Sequence, residues 1–340
     1  MSEDPARDGN GGRPGEFDLI KTYFAPLAGD PGSLGLTDDA AVLTPVPGSD
    51  LVLTKDVLAA DRHFFADDPP EAIAAKALRV NLSDLAAKGA SPRGYLLGLA
   101  LPQDWTEDWL VRFTRGLAAD QAAYDITLLG GDTICSGDGL QISITAIGEV
   151  PNGKAVRRSG AKPGDILFIT GTVGDAAAGL KVLLDKSFSA ESGLSLHDER
   201  HVIDRYLLPR PRMALTGALR ARATAALDVS DGLIADAGHM AVASGVDLVI
   251  DLARVPVSPA LRQLRANSPK AFAACLNGGD DYEILSFVPA DQADGFVAEA
   301  ARAGCPVTPI GRAEQGSGAV RFENADELSG HLQGPGFRHF

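Results

Sequence analysis

The chain has 340 residues, 45% of them apolar and 22% charged, an ordinary globular balance at a length that favours two domains. Its 45 acidic residues against 31 basic ones give a formal net charge of -14. Such a surface repels nucleic acid and anionic membrane, so neither is expected as a partner, and no apolar run approaches the roughly 18 residues a membrane span needs.

Residues 1–14 are polar and rich in Gly and Pro, without the apolar run of a signal peptide, and read as a disordered tail. β-branched or alternating runs bounded by Gly, Pro or Asp then predict strands over 51–58, 95–101, 126–129 and 140–150. Helical patterns over 70–88 and 107–124 lie between them. The first helix opens at Pro70-Glu71 and stops at Gly89, a good start and a good stop. The stretch Pro151 to Gly164 is Gly/Pro-rich, follows one strand and precedes another. It marks a domain boundary, giving an N-terminal domain over 15–152 and a C-terminal domain over 153–340. Further strands are predicted over 166–170, 226–229, 247–252 and 282–288. Helices are predicted over 175–184, 198–206, 212–222, 231–243 and 291–303, and residues 186–198 read as a Ser-rich loop. Strands alternating with helices predict an α/β or α+β layered fold.

The cysteines Cys135, Cys275 and Cys305 show no C-x-x-C spacing. They read as buried or inert thiols of a reducing cytoplasm, not as a disulfide scaffold.

The informative feature is the placement of aspartates. Thr37-Asp38-Asp39 precedes an apolar run, and Thr54-Lys55-Asp56 interrupts one. Asn81-Leu82-Ser83-Asp84 lies in a helix otherwise rich in Ala and Leu. Gly130-Gly131-Asp132 ends a strand, Asp228-Val229-Ser230-Asp231-Gly232 joins a strand to a helix, and Gly278-Gly279-Asp280-Asp281 leads into a strand. Asp231 alone reads equally well as a helix N-cap, Gly-Gly-Asp as a turn, and Asp38-Asp39 as a solvated loop. Asp56 and Asp84 resist such readings, because ionised carboxylates among apolar residues need a partner or a metal. Two like charges about 4 Å apart cost roughly 4 kcal/mol at an effective dielectric of about 20. Converging carboxylates therefore ask for a hard, oxygen-loving cation such as Mg2+.

Other signals are weaker. No G-x-x-x-x-G-K-[ST] or protein-kinase motif set occurs. The glycine turn before Asp175 offers a helix N-terminus to an anion, but tight strand–helix packing explains it better. His197 and His201 share H-x-x-x-H spacing across a loop-to-helix junction and read as a solvated helix start. His63, beside aromatics, reads as structural.

The ordered set of motifs resembles the thiamine-monophosphate kinase family of the aminoimidazole-ribonucleotide-synthetase-like superfamily. It comprises Gly15-Glu16-Phe17-Asp18, Asp38-Asp39-Ala40, Thr54-Lys55-Asp56, Asn81-Leu82-Ser83-Asp84, Gly130-Gly131-Asp132, Arg158-Ser159-Gly160, Asp228-Val229-Ser230-Asp231-Gly232 and Gly278-Gly279-Asp280-Asp281-Tyr282-Glu283. The resemblance implies a two-domain fold whose N-terminal domain forms a dimeric β-barrel and whose C-terminal domain is an α/β sandwich. It implies transfer of a phosphoryl group from ATP to thiamine monophosphate in a cytoplasmic homodimer. Several Mg2+ ions would be held by Asp39, Thr54, Lys55, Asp56, Asp84, Asp132, Asp228 and Asp231. ATP would meet Gly131, Asp132, Arg158 and Ser230, and thiamine monophosphate would meet His63, Asp280 and Phe337. Lys55 stands where the family usually has Thr or Ser, which leaves its backbone carbonyl as a metal contact and its ammonium as a possible phosphate contact. Asp280 stands for the commoner Glu and Thr37 for the commoner Gly.

The chemistry agrees with that assignment. A phosphate monoester has its second pKa near ~6, so the acceptor is already ionised at neutral pH. No general base is then needed, and none stands out. Sister enzymes of the superfamily are the rival reading. Of these, a selenophosphate synthetase would call for a reactive cysteine in an N-terminal Gly-rich segment and a hydrogenase-maturation protein for a C-terminal one, whereas the first cysteine here is Cys135 and the sequence ends Arg338-His339-Phe340. A metal- or nucleotide-binding protein without activity would have lost some of these aspartates.

Overall fold

Pro70-Glu71 and the αL residue Gly89 bracket a helix of 18 residues, Pro70–Ala87, as the sequence predicts. Thr106 caps the next, Glu107–Tyr124, by accepting the N–H of Trp109 at 3.2 Å, and Asp125 ends it in the left-handed region. In the computed structural model, which describes residues 15–137, 139–325 and 328, the N-terminal elements are α1 Glu16–Leu19, β1 Ser49–Ala59, α2 Pro70–Ala87, β2 Ser91–Pro102, α3 Glu107–Tyr124, β3 Thr127–Ser136 and β4 Gln141–Pro151. There follow β5 Ile166–Thr170, α4 Asp175–Leu184, α5 Phe188–Ser192, α6 Leu196–Leu207, α7 Thr216–Arg222, β6 Ala225–Asp228 and α8 Leu233–Ser244. The chain continues with β7 Val246–Asp251, α9 Pro259–Asn267, α10 Pro269–Leu276, β8 Ile284–Val288, α11 Ala293–Arg302, β9 Val307–Gln315 and β10 Val320–Glu323. The tail expected over 1–14 and the candidate Phe337 lie outside the described residues.

Four strands form a sheet in the order β1-β4-β2-β3, with β2 and β3 parallel. Among the described residues this sheet is an open layer in the single chain, where the family resemblance implies a barrel completed by a second copy. Side chains alternate along β1, so Leu51, Leu53 and Val57 face solvent while Leu58 is buried. The described chain divides into two compact units, one of residues up to 44 with 55–77 and 93–145, the other of 45–54, 78–92 and the described residues from 146 on.

In the first unit, α3 is clamped to the start of α2. Arg112 donates to both carboxylate oxygens of Glu71, with Nε–Oε1 at 3.0 Å and Nη2–Oε2 at 2.8 Å. Gly116 permits this approach, since a Cβ there would lie 2.6 Å from the Glu71 carbonyl oxygen.

The second unit holds a six-stranded mixed sheet, β10-β7-β9-β5-β8-β6, in which β10 and β7 run parallel and the other neighbouring strands antiparallel. Alternation sends Leu167, Ile169, Leu285 and Phe287 to one core with α4, α8, α9 and α10. It sends Phe168, Ile284 and Val288 to the other, with α7 and α11. β9 was not predicted from sequence. Its Pro309 is accommodated at a bulge, where the register skips from Leu167↔Gly311 to Phe168↔Pro309.

α6 begins with a capping box at Ser195 and Asp198, which confirms the solvated helix start. His197 points to solvent, and His201 instead lies 3.5 Å from Asp175 on α4. Burial opposes the Asp175 charge, but the neighbouring His201 and hydrogen bonds from Ser258 and Thr172 hold its carboxyl below the usual range. The same Asp175 carboxylate raises His201 above the ordinary imidazole value. A raised folded pKa contributes stability that is complete below the unfolded value and disappears as pH rises through the folded one. The stability difference between wild type and His201→Gln, read by urea unfolding, is therefore expected to be larger at pH 5.5 than at pH 9. An equal difference at both pH values would remove the pair from the stability of α4 and α6.

Candidate active site

Asp228 ends the four-residue strand β6, where every side chain is buried. Asp84 comes from α2, and the Thr54 hydroxyl of β1 donates to its Oδ2. Lys88, one helical turn beyond Asp84, donates its Nζ to the Ala226 carbonyl at 2.9 Å. Burial pushes the Asp228 carboxyl well above the ordinary range, and the negative charge of Asp84 adds to it. Burial also lowers the Lys88 ammonium, while Asp228 and Asp84 work to raise it and Arg158 to lower it. Thr54, Asp84, Asp228, Lys88 and Arg158 thus belong to one electrostatic neighbourhood in the second unit.

The loop after β6 carries Ser230 and Asp231 and is locked to the loop before β8. Asp280 N–H donates to the Ser230 carbonyl at 2.9 Å and Tyr282 N–H to the Val229 carbonyl at 2.9 Å. Gly279 is required there, because a Cβ would lie 2.1 Å from the Ser230 oxygen. Asp280 and Tyr282 both adopt left-handed backbone, at φ 73° and 50°, and Tyr282 Oη reaches Asp280 Oδ1 at 3.3 Å. Strained backbone of this kind persists where the surroundings over-determine it, and functional loops are where it concentrates.

Beneath these loops lies a buried polar layer. The Asp281 carboxylate accepts the N–H groups of Gly174 at 2.6 Å and Ala176 at 3.3 Å. It therefore fills the α4 N-terminus, in agreement with the packing that the sequence favoured over an external anion. Glu283 accepts from Thr170 Oγ1 at 2.6 Å, Arg205 Nη2 at 2.8 Å and Arg212 Nε at 2.6 Å.

The remaining candidates belong to the first unit. Asp39 lies in an exposed loop, its N–H donating to Asp38 Oδ1 at 2.7 Å. Asp56 and Thr54 share one face of β1 and are half-buried. The Lys55 ammonium projects to the other face and donates to Ser143 at 2.5 Å and Thr145 at 3.5 Å on β4. An ammonium has no lone pair, so only the Lys55 carbonyl can ligate a metal. Asp132 is exposed on β3 and pairs in register with Gly98. Gly131 precedes it because a Cβ would lie 1.9 Å from the Leu97 carbonyl. His63 Nδ1 accepts the Ala59 N–H at 3.1 Å, so neutral His63 carries its proton on Nε2. Cys135 is exposed, contrary to expectation, because β3 runs past Gly131 to Ser136; burial pushes the Cys275 thiol up to about 12 and the Cys305 thiol up to about 11.

Sequence reading missed Lys88 and Asp236. The i, i+4 spacing of Asp84 and Lys88 on α2 was the available signal for the first. Asp236, in the first turn of α8, is buried and accepts the Asp231 N–H at 2.9 Å. Burial pushes its carboxyl up to about 7. Asp231, Asp236 and His239 each place one possible ligand atom within 4.8 Å of the others.

Oxygen donors dominate the region, and Asp228 is disfavoured as an anion by burial and by Asp84. A hard divalent cation beside Thr54, Asp84 and Asp228 would offset that repulsion, so these residues fit Mg2+.

The chain is an AIR synthase-related protein with a two-domain α/β fold: it matches the AIR synthase related protein N-terminal domain over residues 37–150 and the C-terminal domain over 162–323. It is 43% identical to the thiamine-monophosphate kinase of Caulobacter vibrioides over 333 residues, covering 97% of this chain and 92% of that one. It superposes on the thiamine-monophosphate kinase of Stenotrophomonas maltophilia K279a with TM-score 0.77 and 41% identity, covering 84% of this chain and 89% of that one. A structure of AaThiL complexed with AMPPCP and TMP is 32% identical, with TM-score 0.75 over 96% of this chain and 97% of that one. The chain belongs to the thiamine-monophosphate kinase family.

Proposed function

We propose that this chain transfers the γ-phosphoryl group of ATP to the phosphate of thiamine monophosphate, giving thiamine diphosphate and ADP. The observation that carries the reading is the Thr54–Asp84–Asp228 neighbourhood, joined through β6 to the Ser230–Asp231 loop and the strained Asp280 loop. The family relationship names the reaction. AMPPCP, an ATP analogue that does not transfer its terminal phosphoryl group, and TMP are bound by the relative of 32% identity.

When bound, Mg2+ neutralises phosphate charge and brings two anions together. In the second unit Asp84, Asp228, Thr54 and Asp231 would serve as its ligands, and in the first unit Asp39, Asp56, Asp132 and the Lys55 carbonyl would serve as ligands; several ions suit so many ligands. Ser230, Arg158 and Gly131-Asp132 orient ATP, Arg158 by its guanidinium and Gly131 by admitting close backbone approach. His63 offers Nε2–H to the acceptor, and Asp280 and Phe337 suit a thiazolium cation, one by charge and one by its ring. The acceptor oxygen arrives ionised, so these residues position and neutralise, and no side chain removes a proton. Direct in-line transfer accords with that division of labour.

Domain limits of 15–152 and 153–340 accord with the two family matches. Leu53 and Val57 on β1 and Ile134 on β3 are exposed at 62%, 52% and 56%, an apolar display that suits pairing of two copies into a homodimer. No described helix is long and apolar enough to cross a membrane, which accords with a cytoplasmic enzyme.

Acceptor discrimination tests the assignment. ADP formation is expected with thiamine monophosphate and not with thiamine, because only the former brings an ionised phosphate. Equal ADP formation with neither or both would remove thiamine monophosphate as the acceptor.

A further inference from the structure

Asp236 is 3% exposed in α8. Its Oδ2 accepts the Asp231 N–H at 2.9 Å. A buried carboxylate is tolerated only when hydrogen-bonded or paired. Here the donor is the Asp231 backbone amide, in the peptide that joins Ser230 to Asp231. The Ser230 carbonyl then accepts the Asp280 N–H at 2.9 Å, so the same peptide links both candidate loops. Gly232, at φ 108°, turns the chain into α8, and a Cβ there would lie 2.6 Å from the Asn277 carbonyl. The loop is thus fixed from α8 on one side and from the 277–280 segment on the other.

We propose that Asp236 is a positioning residue: by accepting the amide of the Ser230–Asp231 peptide it sets the direction of the Ser230 hydroxyl and the Asp231 carboxylate toward magnesium–nucleotide. This rests on the phosphoryl-transfer reading given above. The competing role is direct ligation, since Asp231, Asp236 and His239 could share one ion.

Asn keeps an acceptor oxygen at the same place and removes the charge, whereas Leu removes the acceptor. Calorimetric titration with Mg-AMPPCP, which needs no acceptor substrate, separates the two. Asp236→Asn is expected to bind Mg-AMPPCP within about threefold of wild type, and Asp236→Leu at least about tenfold more weakly. In turnover, Asp236→Leu is expected to lower kcat with little change in KM for thiamine monophosphate. Amide exchange should accelerate at residue 231 in Asp236→Leu. Nucleotide affinity and kcat unchanged in Asp236→Leu would overturn the proposal. So would a tenfold loss in Asp236→Asn, which would make the charge a ligand; that variant decides alone if Asp236→Leu does not fold. Wild type that binds Mg-AMPPCP but makes no thiamine diphosphate would overturn the acceptor assignment and leave the Asp236 comparison intact.

Discussion

Asp84→Asn is expected to lower kcat/KM by at least about 100-fold, with no loss of thermal stability in the absence of Mg2+. The two halves of that expectation have one cause. Asp84 raises the pKa of Asp228, so in the protein alone the two carboxylates work against each other. Asn keeps the size and an acceptor for the Thr54 hydroxyl, and it removes the repulsion. In the complex with metal and nucleotide, the same charge is what draws the cation in. The Mg2+-induced rise in melting temperature should shrink in the variant for the same reason. Near-normal turnover at saturating Mg2+ would remove Asp84 from the site, and a large fall in melting temperature would make its role structural.

Glu283→Gln is expected to have the largest effect on stability, about 3–5 kcal/mol by denaturant unfolding. Glu283 is fully buried and receives Thr170, Arg205 and Arg212, with Arg205 itself 3% exposed. Gln accepts some of these hydrogen bonds but leaves two guanidinium charges without their anion. The damage should spread to the site, since Arg205 also donates to the Asp281 carbonyl at 3.1 Å and the Glu283 carbonyl accepts the Val229 N–H. A loss below about 1 kcal/mol would show that this cluster does not hold β5, β8 and α6 together.

Sequence pattern reached α3, α4 and β5 to the residue, because caps and turn residues delimit them. It stopped β3 at Leu129, reading Gly130-Gly131 as a turn. The strand continues to Ser136, and Gly131 is needed for close approach to Leu97. β9 was invisible because Pro309 and Gly311 read as breakers, whereas a bulge and contact with Val249 require them. The Ser-Pro starts of α9 and α10, at Ser258 and Ser268, were legible caps that went unread. Among the candidates, Asp84 was legible because a carboxylate among apolar residues demands a reason, and Asp228 through the ordered set of motifs. Asp236 was not, since an aspartate in a first helical turn reads as a favourable dipole partner until its burial is seen.

Direct transfer is tested most plainly with γ-labelled ATP, thiamine monophosphate and Mg2+, following the label into nucleotide, protein and thiamine diphosphate. Label is expected in thiamine diphosphate in a one-to-one ratio with ADP, none on the quenched protein, and no product after EDTA. ADP formed without labelled thiamine diphosphate, or label retained on the protein, would contradict it.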